Sequence, residues 1–288
     1  MSMPFFSIVI CSIDPWKFAQ ANTLFERLLN GVPHEIIGIH DARSLAEGYN
    51  RGLRRSQGDI VVFSHDDILI LDSDFGQKIS CRLRDFDILG FAGTRRVVAE
   101  IWWQSGFPWA SGVVAHTHIQ ERKISLSVWN AEPWPVVDGI QCIDGLCIMT
   151  RREVAEEIGF DEATFDGFHL YDHDFSFSAY RAGKKIGVCC DIPVIHASMG
   201  SYDKEHTRYG HLFIEKHKDA LPIDAPKVSE PTGKAMLVSD YRTLHAVWRE
   251  EVFRRSWISF GRMANSPGGA MCAPAGQGGC RTEKAGAL

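Results

Sequence analysis

Gly58-Asp59-Ile60-Val61-Val62-Phe63-Ser64-His65-Asp66-Asp67 is the stretch that decides the fold. Four consecutive apolar residues rich in β-formers make a strand. No polar residue alternates within them, so the strand is apolar on both sides, as in a sheet covered by helices on both faces. Two adjacent carboxylates follow its C-terminal end, where open α/β sheets bind their ligands. Aspartate oxygens suit hard cations such as Mg2+ or Mn2+, which also bridge a diphosphate. Aspartate is equally common in plain turns after strands, so the pair takes its meaning from its surroundings.

Upstream, Phe5–Cys11 is another apolar run of strand length, and Pro15 opens a helical pattern that stops at Gly31. Glu35–Ile39 is a second strand. Ser44-Leu45-Ala46-Glu47 is a capping box for a helix carrying Leu45, Tyr49 and Leu53, which Gly58 ends. Strand and helix alternating at this spacing predict an α/β fold with a doubly wound, mostly parallel sheet. Downstream, residues 86–92 read as a strand. Residues 100–135 hold five of the eight tryptophans among Pro and Gly, and read as a loop-rich insertion. Val136–Thr150 is apolar again, Arg152–Ile158 makes a short helix, and Asp172–Ala182 a longer one stopped by Gly183. Lys185–Cys189 and Pro193–Ile195 are strands.

The last part changes character. Residues 222–234 carry three prolines and read as a linker. Tyr241, Leu244, Trp248, Val252, Trp257 and Phe260 mark an amphipathic helix over 238–262. It is suited to pack on the domain, to pair in a homodimer, or to lie on a membrane surface. Beyond Asn265 the chain is rich in Gly, Ala and Pro, which predicts disorder.

With 45% hydrophobic and 23% charged residues in 288, the chain carries enough apolar material for a sizeable core. A formal net charge of −5 speaks against nucleic-acid binding, which usually shows as a basic face. No run approaches the ~18 apolar residues of a transmembrane segment, and Met1–Cys11 has no basic region of a secretory signal. The eight cysteines form no Cys-x-x-Cys pair, and Cys11, Cys142, Cys147, Cys189 and Cys190 lie in apolar runs. They read as reduced structural thiols, which points to the cytoplasm.

A second acidic cluster, Asp172-His173-Asp174, opens the helix that ends at Gly183. One carboxylate in a first turn complements the helix dipole; two, flanked by His169 and His173, exceed that need. A carboxylate facing a metal-bound donor can take the proton of an attacking hydroxyl. His196 ends a further strand, where after such a cluster it becomes a candidate metal ligand.

In this order the chain resembles the family 2 glycosyltransferases, which have the GT-A fold. The resemblance runs from Phe6-Ser7-Ile8-Val9-Ile10 through Ala42-Arg43, Ala46–Gly52, Gly58-Asp59 and Asp66-Asp67. It resumes at Asp144-Gly145, Met149–Arg152, Gly159–Glu162, Tyr171–Asp174, Arg181–Gly183 and His196. It is most similar to a glycosyltransferase-like branch with a Phe-His-x-Tyr-Asp motif, here Phe168–Asp172. The implied organisation is a GT-A domain over 1–221, a linker and amphipathic helix over 222–263, and a disordered tail over 264–288.

The resemblance implies transfer of a sugar from a nucleotide-sugar donor, a UDP-sugar favoured, to an acceptor hydroxyl on a carbohydrate, lipid-linked or protein acceptor. The transfer would depend on a divalent metal, Mn or Mg, and would invert the anomeric carbon. Ser12 and Asp14 would contact the base, Arg43 the uracil or diphosphate, and Asp66 the ribose or metal. Asp67 and His196 would bind the metal, Asp172 would be the catalytic base, and Asp144 would border the acceptor. Trp134, in the aromatic insertion, and Tyr171 are placed on the acceptor side, since sugar rings stack on aromatics. The location implied is cytoplasmic or peripheral at the inner face of the membrane. Two residues depart from the family pattern: His65 replaces the first Asp of Asp-x-Asp, and Tyr171 the Glu before the base. The competing functions are a metal phosphohydrolase using His65, Asp66, Asp172 and His196, and a non-catalytic nucleotide-sugar-binding protein. A nucleotidyltransferase would need a Gly-rich phosphate loop after the first strand, where none is found.

Overall fold

Phe6–Cys11 forms the first strand, β1, buried along nearly its whole length, as an unbroken apolar run requires. In this computed structural model the described residues are 3–118, 123–130, 135–198, 202–222, 225–229, 234–238, 243–244, 246–248 and 250. Asp14 caps helix α1 (Pro15–Leu28), its carboxylate accepting from the backbone N–H of Trp16 at 2.8 Å and of Lys17 at 3.2 Å. Strand β2 (His34–Ile39) pairs parallel with β1. Helix α2 (Leu45–Arg55) starts on Ser44, whose hydroxyl accepts from Glu47 N–H at 3.0 Å. The reciprocal bond of the capping box shifts by one residue: the Glu47 carboxylate accepts from Arg43 N–H at 3.1 Å.

The deciding stretch is β3 (Ile60–Ser64), wholly buried and parallel to β1. After it come β4 (Ile68–Ile70), α3 (Phe75–Arg82), β5 (Ile88–Gly90), β6 (Ala92–Thr94), β7 (Ala110–His118) and β8 (Lys123–Val128). Then follow β9 (Val136–Ile140), β10 (Cys142–Ile143), β11 (Cys147–Arg151), α4 (Arg152–Ile158) and α5 (Tyr171–Arg181). The last elements are β12 (Ile186–Cys189), β13 (Val194–His196), α6 (Lys204–His217) and β14 (Lys234–Val238).

The first sheet has the order β2-β1-β3-β11-β5-β12-β9. Strands β2, β1, β3, β5 and β12 run one way, and β11 and β9 the other. The expected α/β fold of GT-A type with its mostly parallel sheet is the one observed, and α1, α2 and α4 pack on this sheet. A second sheet, β10-β6-β7-β13-β4 with β8 and β14 added on β7, is largely antiparallel and was not foreseen. It corrects the expectation of loops over 100–135: after a 3₁₀ turn at Trp102–Ser105 the chain forms the β7–β8 hairpin. Lys123-Ile124-Ser125-Leu126-Ser127-Val128 alternates polar and apolar, and buries Ile124, Leu126 and Val128. The density of tryptophans masked that period of two.

Of the expected C-terminal helix, residues 243, 244, 246–248 and 250 are helical. Leu244 and Trp248 are buried, and Trp248 Nε1 donates to the Cys190 carbonyl at 3.0 Å. This part of the helix therefore packs on the domain. Trp257, Phe260 and the 264–288 tail lie outside the described residues, as does Trp134. No helix among the described residues is long and apolar enough to cross a membrane.

Candidate active site

The carboxylates after β3 stand where the two sheets meet. β3 ends at Ser64 in the first sheet and β4 begins at Ile68 in the second, so His65-Asp66-Asp67 is the crossover between them. Strand β11 runs antiparallel to β3 with Cys147 opposite Ser64, which brings the residues before it, Asp144-Gly145-Leu146, to the same end. His65 N–H donates to the Leu146 carbonyl at 3.1 Å and locks this junction. β13 pairs antiparallel with β4 so that His196 faces Ile68, and Ala197 N–H donates to the Asp67 carbonyl at 2.9 Å. Asp67 and His196, 129 positions apart in the chain, are thereby neighbours by sheet register.

Their side chains meet. Asp67 Oδ1 lies 3.2 Å from His196 Nε2, and His65 Nδ1 lies 3.3 Å from the same nitrogen. The donor atoms of His65, Asp67 and His196 all fall within 4.8 Å of one another. Ligands sharing an octahedral ion at about 2.1 Å stand about 3 Å apart, so this donor set fits a divalent cation. Ser198 Oγ also reaches His196 Nε2, at 3.0 Å. Burial, and next the adjacent His196, lower the pKa of His65 and keep its imidazole neutral. Burial would raise the Asp67 carboxyl, but the hydrogen bond and charge of His196 and the charge of His65 outweigh it, and hold it well below the ordinary carboxylate range.

Helix α5 delivers the second acidic cluster. Its N-cap, Leu170, sits at φ 61°, the one non-glycine residue with positive φ among the described residues. Left-handed leucine is strained, and such strain gathers at functional sites. Ser176 anchors the helix by accepting from Ile143 N–H at 3.1 Å and donating to the Asp172 carbonyl at 2.7 Å. Asp172 is buried, with His173 Nδ1 at 3.1 Å from its Oδ1. Burial opposes the charge on both, yet their attraction prevails: Asp172 is lowered and His173 raised. Asp174 is spent structurally, in a buried network with Lys216 Nζ and His217 Nε2, each 2.8 Å from Oδ1. Asp144 is fixed at both oxygens, by Leu146 N–H and by Trp102 Nε1, each at 3.0 Å.

The remaining predicted residues divide clearly. Ser12, at the end of β1, donates to Asp66 Oδ2 at 2.6 Å, with Lys17 Nζ at 4.0 Å from the other oxygen. Ser12 and Asp66 are thus drawn together by the β1–β3 pairing. The Asp14 carboxylate is occupied in capping α1. Arg43 precedes α2 with its side chain 83% exposed and 4.0 Å from the Glu47 carboxylate. Tyr171, expected beside the acceptor, is buried, and its hydroxyl engages His65 Nε2 at 2.8 Å and the Gly145 carbonyl at 3.3 Å. The two residues that depart from the family pattern therefore touch each other.

Three residues already noted in the sequence make contacts that the sequence did not assign to them. His65 counted as a lost aspartate, though a histidine one residue past a strand is itself a ligand type. His173 pairs with Asp172, and an adjacent Asp-His is a visible signal. Trp102, buried against Trp129 at a ring separation of 4.7 Å, holds Asp144 through a contact between distant segments that no local pattern announces. Of the described tryptophans in the 100–135 region, Trp102 and Trp129 belong to the core, while Trp109 is exposed.

An α/β domain that gathers two acidic clusters and a histidine where its two sheets meet is compatible with a glycosyltransferase. Residues 7–217 match the profile of the glycosyltransferase-like family, and the chain belongs to that family. No curated protein matches it. Among solved structures, the chain is similar to the mannosyltransferase PcManGT from Pyrobaculum calidifontis, in complex with GDP-Man and Mn2+, at 11% identity and a TM-score of 0.47. That likeness covers 92% of this chain and 75% of the other. Protein A197 from STIV is similar at 14% identity and a TM-score of 0.39, covering 69% of this chain and 86% of that one.

Proposed function

We propose that this glycosyltransferase moves a sugar from a nucleotide-sugar to an acceptor hydroxyl, with a divalent metal and with inversion, and that Asp172 is its base. The observation that supports this is the convergence of the Asp67 and His196 donor atoms at the sheet junction beside the first turn of α5. Tyr171, the residue before Asp172, meets His65 Nε2 through its hydroxyl at 2.8 Å, which supports a common neighbourhood for the cluster and Asp172. Asp67 and His196 would hold the ion. When bound, it would supply Lewis-acid neutralisation of the departing diphosphate, worth several kcal/mol at the transition state.

The chain's own groups do the rest. Ser12 and Asp66 receive the nucleoside at the end of β1, and Arg43 swings onto the diphosphate. Asp144, pinned by Trp102 and Leu146, borders the acceptor. Asp172, held ionised by His173, takes the acceptor's proton as the new bond forms, a role worth about 10²- to 10⁴-fold. One displacement at the anomeric carbon inverts it. The catalytic unit is residues 1–221, and its place is the cytoplasm or the inner membrane face. A UDP-sugar is the favoured donor, with GDP-mannose the second to try, since PcManGT is in complex with it.

Asp172→Asn tests the assignment. Donor affinity should hold within a few-fold while transfer falls by about 10²- to 10⁴-fold. Turnover near wild type in this variant rules out Asp172 as the base.

A further inference from the structure

We infer that His65 is a third protein ligand of the cation site, and that Tyr171, backed by the Gly145 carbonyl, is the positioning residue that makes it one. This rests on the assignment of Asp67 and His196 as metal ligands above. The proton positions follow from the hydrogen-bond network. A carboxylate only accepts, so His196 Nε2, facing Asp67 Oδ1 at 3.2 Å, carries a proton when no ion is bound. That proton makes His65 Nδ1, 3.3 Å away, the acceptor of the pair. The proton of His65 is then on Nε2, donated to the Tyr171 hydroxyl at 2.8 Å, and the tyrosine proton goes to the Gly145 carbonyl at 3.3 Å. Ser198 Oγ, 3.0 Å from the same protonated His196 Nε2, stands on its accepting side with Asp67, and the bare lone pair of His65 Nδ1 points into the cluster.

A metal-bound histidine needs this arrangement: its outer N–H held by an acceptor, its inner nitrogen bare. The tyrosine is itself immobilised. Its ring packs on Tyr49 at 5.6 Å and Phe160 at 6.2 Å, and the left-handed Leu170 fixes its entry into α5. Gly145 is the residue that lets the hydroxyl come so near, for a Cβ there would stand 2.4 Å from it. His65 and Tyr171 are thus one unit, in which the second substitution supports the first. Two imidazoles and one carboxylate suit a transition ion such as Mn2+ better than Mg2+, which prefers oxygen and water.

The test is titration of the full chain with Mn2+ alone, reading free ion by its EPR signal. Tyr171→Phe keeps the ring in its cluster and removes only the hydroxyl. It should raise the Kd for Mn2+ by about 10- to 100-fold, the usual effect of losing an outer-sphere partner. His65→Asp should restore binding and narrow the advantage of Mn2+ over competing Mg2+. In that background Tyr171→Phe should change the Kd by less than about two-fold, because the hydroxyl no longer has an imidazole to orient. Pulsed EPR of bound Mn2+ should show two coordinated imidazole nitrogens in the wild type and one in His65→Asp. An unchanged Kd in Tyr171→Phe, or a single imidazole in the wild type, overturns the inference and leaves Asp67 and His196 standing. A wild type that binds no Mn2+ overturns both.

Discussion

Replacing Gly145 by alanine would put a methyl group where the site has no space. A Cβ at that position stands 2.4 Å from Tyr171 Oη, 2.7 Å from Asp172 Cβ and 2.8 Å from Asp172 Oδ2. Ordinary contact begins near 3.4 Å, so the first turn of α5 must retreat by roughly 0.6 to 1 Å. The helix is not free to slide, because Ser176 ties it to Ile143 and the Asp174–Lys216–His217 network holds its inner face. The displacement therefore falls on Asp172 itself. A misplacement of about 1 Å costs on the order of 10²-fold in rate, about 2.7 kcal/mol of barrier. Overpacking adds about 1–3 kcal/mol of destabilisation. The assay is release of nucleoside diphosphate from a panel of nucleotide-sugars with acceptor in excess, alongside thermal melting. Gly145→Ala should lower kcat, measured at saturating donor and Mn2+, by about two orders of magnitude, and by pushing on the Tyr171 hydroxyl that orients His65 it should also weaken Mn2+ binding. Wild-type kcat in a folded Gly145→Ala protein would refute the placement of Asp172 against the 144–146 turn.

Two further outcomes follow from packing and charge. Trp248→Ala should cost about 3–5 kcal/mol in urea unfolding, because it empties a buried site and removes the hydrogen bond to the Cys190 carbonyl, and should leave kcat unchanged; a cost under about 1 kcal/mol would contradict the docking of the C-terminal helix. The Asp172–His173 pair makes stability depend on pH: the raised His173 contributes fully below its unfolded pKa of about 6.5 and loses its share as pH rises through the folded value, while the lowered Asp172 contributes above about 3.8 and loses its share as pH falls through its own. The stability gap between wild type and His173→Gln should accordingly be larger near about pH 5 than near about pH 9, and an equal gap at both would contradict the ion pair.

The first sheet was legible because its rules are local. Unbroken apolar runs at Phe6–Cys11 and Ile60–Ser64, the Ser44 cap of α2, Pro15 in the first turn of α1 and a left-handed Gly183 after α5 each announce their element within a few residues. Most of the second sheet was not, because strands such as β4, β6 and β10 span only two or three residues and exist by pairing with partners far away; of its short strands, β13 was visible as the apolar run before His196. The same divide runs through the site. Asp66-Asp67 and Asp172 were visible as carboxylates at element ends. That His65 and Tyr171 touch could not be seen, for 106 residues separate them and only the β3–β11 register with Gly145 between brings them together. Asp174 shows the converse: beside Asp172 in sequence, it turns inward to Lys216 and His217 and shares none of its neighbour's surroundings.

If Asp67 and His196 hold a cation through which a nucleotide-sugar is bound, calorimetric titration of the wild type with UDP and GDP, with and without Mn2+, will show it. Affinity for one of them should rise steeply when Mn2+ is present, and Asp67→Ala should remove that rise. The same affinity with and without the ion, for both nucleotides, would contradict it.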